Sequence, residues 1–138
     1  VSLDEEPPVG PDGGAGGREA YIGLPALRAR YGGSGPEVLK ALTAEEAPVR
    51  ALARAIRIAH AIYRPDHVRL LGGVGIRLAG LAEGLRTRVE SGLTSLARPG
   101  WTLGFGRDDW HAAAGAARFA CEQIPAISGP RVREPDPE

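Results

Sequence analysis

Residues 64–78 of this chain have the sequence RPDHVRLLGGVGIRL, and the rest of the chain is organised around them. One helical pattern runs into this stretch and a second one leaves it. The short, mostly apolar run at residues 68–71 is too short for a helix and is closed by glycines, so it predicts a buried strand. Gly72, Gly73 and Gly75 allow a sharp turn with positive φ and no Cβ in the way. A strand, a glycine turn and a helix can together bring backbone N–H groups to a phosphate, although a tight turn that binds nothing fits these residues as well.

The composition limits the classes of protein that the chain can belong to. Its 138 residues fit one domain, and its formal net charge of +0 provides no basic field for nucleic acid. The single cysteine, Cys121, excludes an internal disulfide and fits a reducing compartment. The start is acidic and no apolar run approaches about 18 residues, so we expect no signal peptide and no membrane span. These features predict a cytoplasmic protein, and a chain that begins with Val1 instead of Met suggests processing or a fragment.

The remaining sequence predicts mostly helices. Apolar residues recur at helical spacing over residues 19–31, 34–42, 49–64, 76–91 and 109–123. Large and small residues alternate at 101–105, which predicts a second short strand. Two short strands are too few for a stable sheet, so we expect segments outside this chain, or a partner, to complete it. The predicted fold class is therefore α/β, helix-rich with few strands.

Searches for common catalytic and metal-binding motifs fail. The chain has no P-loop and no serine elbow, and a leucine replaces the third glycine of the dinucleotide fingerprint. His60, His67 and His111 lie on different predicted elements without ligand spacing, so we expect surface or hydrogen-bonded histidines and no metal site. Cys121 lies among alanines in the last helix, which favours a small packed residue over a nucleophile. Asp108 is placed to cap that helix.

The last predicted helix contains the run AAAGAA at residues 112–117, which gives it a face with little side-chain bulk. A glycine within a helix costs about 1 kcal/mol relative to alanine. We therefore expect another backbone or a flat ligand to approach this face closely.

The order of these elements resembles the C-terminal part of the ROK family. The resemblance runs from about Gly13 to Ala120 and rests on Pro-Asp before the strand, Leu-Gly-Gly-x-Gly, and Ala-Gly-Ala-Ala in the last helix. The family contains bacterial glucokinases, other sugar kinases and sugar-responsive repressors on the actin-like ATPase (ribonuclease H-like) fold. The resemblance implies the C-terminal lobe of that fold, with nucleotide-binding residues at Gly72 and Gly73 and, more weakly, Val74 and Gly75. It also implies that the alanine-rich helix lies near the adenine.

The family signature C-x-C-G-x-x-G-C-x-E aligns with residues 10–19 of this chain. Two glycines of the signature and its glutamate match, and the resemblance makes that glutamate, Glu19, a candidate sugar ligand. The alternative for Glu19 is a solvated glutamate in the first turn of a helix. The three zinc-binding cysteines are absent, so zinc is not predicted; their positions hold Gly10, Asp12 and Gly17.

The resemblance also implies what this chain lacks. In the family, the aspartate base, the Mg²⁺ site and the Asp-x-Gly-x-Thr turn come from the N-terminal half, and no Asp-x-Gly-x-Thr occurs here. We therefore expect a segment of a glucokinase-like enzyme that uses ATP and Mg²⁺, with no catalytic residue in this chain and no activity from it alone. Two alternatives stay open: the sugar-sensing domain of a ROK-type repressor, and an inactive structural relative.

Under this interpretation the chain has three parts. Residues 1–18 form a flexible Gly/Pro-rich segment, residues 19–124 form the ROK-like lobe, and residues 125–138 form a disordered tail. The implied partners are a sugar, ATP, the missing N-terminal lobe and, by analogy with the family, a second copy in a homodimer. Nucleic acid is not expected to bind through this segment.

Overall fold

A computed structural model describes residues 5–123 of the chain. Seven α-helices, one 3₁₀ turn and two strands follow one another along this part of the chain. Their bounds are α1 Arg18–Ile22, α2 Leu24–Tyr31, α3 Gly35–Ala41, α4 Ala47–Tyr63, β1 His67–Leu70, α5 Gly72–Arg77, a 3₁₀ turn Ala79–Leu81, α6 Ala82–Ser91, β2 Thr102–Phe105 and α7 His111–Gln123. The tail predicted at residues 125–138 lies outside the described residues.

The two strands pair in parallel and form one small sheet. His67 lies opposite Thr102, and Leu70 lies opposite Phe105. Parallel strands need a long crossover, and here α5, the 3₁₀ turn and α6 provide it. Both predicted strands are present; β1 lies one residue earlier than predicted, and β2 begins one residue later. The prediction that the first strand is buried is wrong, because its residues alternate between exposed and half-buried. The described chain is therefore helix-rich with a two-stranded parallel sheet, in agreement with the predicted α/β class.

The longest helix, α4, carries the centre of the core. Val49, Leu52 and Ile56 recur at helical spacing and are buried. The predicted stop before Pro65 is confirmed: Arg64 closes the helix in the left-handed conformation, with φ 45° and ψ 55°. Proline disfavours helical backbone in the residue that precedes it, so the chain turns here into β1.

The helix predicted over residues 19–31 is broken in two at Gly23, so that prediction is wrong in its continuity. Gly23 has extended backbone, with φ −61° and ψ 145°, and Pro25 occupies the first turn of α2. A proline ring clashes with the carbonyl four residues earlier, and therefore it starts a helix more readily than it continues one.

The helix predicted over residues 76–91 is also interrupted. The backbone N–H of Leu78 bonds to the carbonyls of both Val74 and Gly75, and a 3₁₀ turn then separates α5 from α6. The shared bond tightens the helix toward 3₁₀ geometry at its end. Leu78, at this break, is buried in the same core cluster as Leu85 of α6.

The core lies among α1 to α4 and α6, and α7 takes no part in it. Leu27, Leu39, Leu85 and Val89 are almost wholly buried, whereas α7 has no buried residue along its described length. Cys121 is exposed, so its predicted packed role is wrong. No described atom lies within 4 Å of a Cβ built on the middle glycine of α7, so the close approach predicted there is absent from the described chain.

Candidate functional site

A cleft of about 510 Å³ opens between α1, the start of α2 and the turn from β1 into α5. Its volume lies in the range of small-molecule sites, about 300–1,000 Å³. Glu19 lines one side, and residues 72–75 line the other. The candidate sugar ligand and the candidate nucleotide residues, which are far apart in the sequence, are therefore neighbours around one cavity.

The glycines of the β1–α5 turn are required for different reasons. Gly72 has φ +75° and nothing within 4 Å of a built Cβ, so its backbone conformation alone explains the glycine. At Gly75 a Cβ would lie 2.6 Å from the carbonyl carbon of Leu70, so this glycine lets α5 pack against β1. The prediction of positive φ is confirmed at Gly72 and wrong at Gly73 and Gly75.

Gly73 is the point where two charged side chains reach the turn. Nη1 of Arg77 donates to the Gly73 carbonyl over 2.8 Å. A Cβ built on Gly73 would lie 3.2 Å from Oδ1 of Asp109, which precedes α7. Sequence analysis missed both neighbours. Asp109 follows β2, and only the parallel pairing of the strands brings it beside the turn after β1.

Glu19 lies in the first turn of α1 with an exposed side chain. Its Oε1 is 3.6 Å from Nη2 of Arg18, and Oε2 lies toward Gly23, where a built Cβ would be 3.2 Å away. An exposed ion pair of this length contributes little to stability, so the carboxylate remains open to other donors. This geometry suits a sugar ligand and a solvated glutamate equally.

The loop before Glu19 is held by hydrogen bonds of its own backbone. Val9 and Ala15 form an antiparallel bridge, the N–H of Gly10 donates to the Gly14 carbonyl over 2.8 Å, and the N–H of Gly16 donates to the Pro8 carbonyl over 2.9 Å. Asp12, at the position of a missing signature cysteine, accepts the N–H of Gly14 over 3.1 Å. These bonds give the loop a defined path.

The lining of the cleft combines positive charge with an apolar wall. Arg18 and Arg69 contribute two cations, and Ile22, Leu24 and Val74 contribute apolar surface. Arg69 is a third residue that sequence analysis missed. Cations beside side-chain-free glycines favour a ligand that carries phosphate.

The described lining of the cleft offers few ligands for a metal ion. Glu19 is the one acidic residue in its described lining, and no three His, Cys, Asp or Glu residues of the described chain are grouped as metal ligands. A divalent cation needs several oxygen ligands. Any Mg²⁺ at this site would depend on the nucleotide and on residues from elsewhere.

The three histidines have different environments. Nδ1 of His67 lies 2.8 Å from Oγ1 of Thr102, and Nε2 of His111 accepts the N–H of Arg107 over 2.8 Å, as predicted for surface histidines with partners. His60 differs from this prediction. It is buried, and its Nε2 has no hydrogen-bond partner among the described residues.

Comparisons with models of known protein families, with curated proteins and with solved structures found no match for this chain. Among residues 5–123, no helix is both long enough and apolar enough to cross a membrane.

Proposed function

We propose that this chain is the C-terminal lobe of an ATP-dependent sugar kinase of the ROK type, on the actin-like ATPase fold. The observation that carries the proposal is the shared cleft, in which Glu19 and residues 72–75 face one cavity. A kinase must hold its sugar and its nucleotide within reach of each other, since phosphoryl transfer is mainly a matter of positioning.

The roles of the residues follow from their chemistry. The Glu19 carboxylate would accept hydrogen bonds from sugar hydroxyls and orient the ring. Gly72 and Gly73 would let the phosphate chain lie against the backbone, and the Arg69 guanidinium would offset its negative charge. ATP, when bound, supplies the phosphoryl group that a hexose hydroxyl receives. The resemblance assigns the general base to the N-terminal half, so this chain would contribute binding and orientation.

The first test measures ligand binding to the 138-residue chain by NMR titration. ATP is expected to shift the backbone amides of residues 72–75, and glucose is expected to shift the amide of Glu19. Arg69→Gln should weaken ATP binding about tenfold, because a charged hydrogen bond is lost. Glu19→Gln should weaken glucose binding by a similar factor and leave ATP binding unchanged. Arg50→Gln, an exposed arginine outside the cleft, is the matched control.

The second test concerns turnover. The 138-residue chain with ATP, Mg²⁺ and glucose should form no sugar phosphate above background, because it lacks the base. A clear rate of sugar phosphate formation would contradict the proposal that the catalytic base lies in a separate lobe. In the native locus, coding sequence upstream that specifies Asp-x-Gly-x-Thr would identify the missing lobe, and the joined protein should phosphorylate a hexose.

A sugar-sensing domain of a repressor is the second candidate, and a specific observation favours it. Glu19 also lines a separate cavity of about 430 Å³ formed with the loop at residues 10–17. A sugar could bind there without using the glycine turn. Glucose binding that is unaffected by Arg69→Gln, in a chain that shows no response to ATP, would support the sensor over the kinase. If the chain binds neither ligand, the remaining interpretation is an inactive structural relative.

A further inference from the structure

A second site lies at the C-terminal end of α4, away from the cleft. The segment between α6 and β2 folds over this end of α4 and leaves two neighbouring cavities of about 120 and 310 Å³. His60, Arg64, Leu96 and Ala97 line both cavities, which therefore form one crevice. Leu52 of α4 lines the cleft, and His60 lies eight residues further along, about 12 Å along the helix axis.

Two residues that line this crevice each have a buried ring nitrogen without a hydrogen-bond partner in the described chain. His60 is 4% exposed and Trp101 is 3% exposed, and neither Nε2 of His60 nor Nε1 of Trp101 has a partner among the described residues. The two rings meet edge to face, with centroids 4.8 Å apart and planes at 79°. Buried polar groups are nearly always hydrogen-bonded, so two such groups in contact indicate a missing partner.

Positive charge surrounds the crevice. Arg57, His60 and Arg64 lie at i, i+3 and i+7 on α4 and therefore share one helix face. Arg57 donates to the Arg88 carbonyl over 3.2 Å, and Arg64 reaches the Leu96 carbonyl at 3.5 Å. Neither guanidinium forms an ion pair with a carboxylate of the described chain. Asp66 is the one acidic residue in the described lining of the two cavities.

We propose that the smaller cavity of this crevice binds a small oxyanion, carried by a phosphate or a carboxylate group, between the two ring N–H groups and the Arg64 guanidinium, with Arg57 contributing charge from the adjoining cavity. The indole N–H of Trp101 is only a donor, and the imidazole of His60 donates from Nε2 when the proton is on that atom. Both rings therefore match an acceptor. The smaller cavity far exceeds the roughly 10–15 Å³ that one water occupies, so an anion and its hydration fit.

The test is a titration of the full 138-residue chain with inorganic phosphate and, separately, with acetate, at constant ionic strength set by sodium chloride. The indole N–H resonance of Trp101 should shift in a saturable manner with at least one of the two anions. The anion that gives the tighter response identifies the group. The His60 ring should titrate at higher pH in the presence of the anion, because a bound negative charge favours the protonated ring.

Variants distinguish binding from general effects of charge. Arg64→Gln should weaken the response about tenfold, which corresponds to about 1.4 kcal/mol, and Arg64→Lys should retain part of it. Arg50→Gln removes an exposed arginine two turns before Arg57 on the same helix, outside the crevice, and should change nothing. Circular dichroism of each variant confirms that the fold is kept.

Three results would overturn the proposal. The first is a response to chloride equal to that with phosphate and acetate. The second is an undiminished response in Arg64→Gln. The third is the absence of any saturable shift, which would mean that water alone fills the crevice. Because no lining residue is shared with the cleft, ATP and glucose binding should stay normal in Arg64→Gln, so failure here leaves the proposed kinase lobe intact.

Discussion

The core formed by α1 to α4 and α6 and the end of the molecule formed by β1, β2 and α7 are built differently. In the core, residues such as Leu27, Leu39 and Val49 are almost wholly buried. The two strands are exposed or half-buried along their length, and α7 exposes Phe119 and the preceding Trp110. Stability therefore comes mainly from the core, while the parallel pairing of the strands places Asp109 beside Gly73 of the glycine turn.

The largest expected difference between the two regions is in amide hydrogen exchange. Amides of α4 should exchange only through global unfolding, which for a domain of this size requires about 5–15 kcal/mol. Amides of α7 should open at a free energy near zero, because a 13-residue helix without packed residues is marginal in water. Exchange measured by NMR at residue resolution checks this. Equal protection of α7 and α4 would mean that α7 is held by contacts that its exposure does not reveal.

The next largest difference between the two regions should be in the free energy of unfolding that is lost when a large side chain is truncated. Leu39→Ala in α3 should lower the free energy of unfolding by about 2–5 kcal/mol, because it leaves a cavity in the core. Phe119→Ala in α7 is the matched control and should change it by less than about 0.5 kcal/mol. Urea unfolding of both variants measures the difference. A large loss in Phe119→Ala would place part of the stability in α7.

A glycine pair tests how tightly α5 is held against β1. Gly75→Ala should destabilise the chain by about 1–3 kcal/mol, because the new Cβ would meet the Leu70 carbonyl carbon at 2.6 Å and its oxygen at 2.7 Å. Gly80→Ala, in the 3₁₀ turn, has no described atom within 4 Å of the new Cβ and should be nearly neutral. Thermal unfolding of the two variants checks the contrast. A neutral Gly75→Ala would mean that the strand end yields easily.

The smallest expected effect is a pH dependence of the free energy of unfolding. It arises from His60, at the edge of the core. Burial lowers the pKa of His60 below its ordinary value of 6.5. The unfolded chain therefore binds a proton that the folded chain does not, so stability is complete above about pH 6.5 and falls as the pH decreases from 6.5 toward the lowered pKa. The slope is at most about 1.4 kcal/mol per pH unit.

The His60→Phe variant isolates this contribution. Phenylalanine keeps an aromatic ring against Trp101 but cannot accept a proton, so the variant should lose the part of the pH dependence that comes from His60. Urea unfolding at pH 7.5 and pH 5.5 for both proteins gives the comparison. Equal loss of stability in the two proteins would assign the effect to other titrating groups.

Much of the local structure could be predicted from the sequence, since it depends on near neighbours. The periodicity of Val49, Leu52 and Ile56 predicts α4, and Pro65 predicts where that helix ends. The glycines after residue 71 predict the turn into α5. The two helix breaks were missed because apolar spacing continues across them. Pro25 and the glycines of α5 and the 3₁₀ turn disfavour a continuous helix despite that spacing, because proline cannot continue a helix and glycine has low helix propensity.

The composition of the candidate site was only partly predictable. Glu19 and residues 72–75 came from a resemblance to a family, which supplies residue positions without distances. Arg69, Arg77 and Asp109 were missed because no local pattern marks them. The unpaired nitrogen of His60 had no signal in the sequence either, since a histidine between alanines could lie in the core or at the surface.

The sequence by itself determined the helices, the two strands and the glycine turn, because hydrophobic spacing, proline and glycine act over a few residues. Only the tertiary structure decided that Glu19 and the glycine turn face one cleft, that Asp109 lies beside Gly73, and that the His60 and Trp101 rings meet in a crevice. These neighbours are joined by the packing of α1 and α4 and by the parallel pairing of β1 with β2. Such contacts depend on burial of apolar surface across the whole domain, which no short stretch of sequence records.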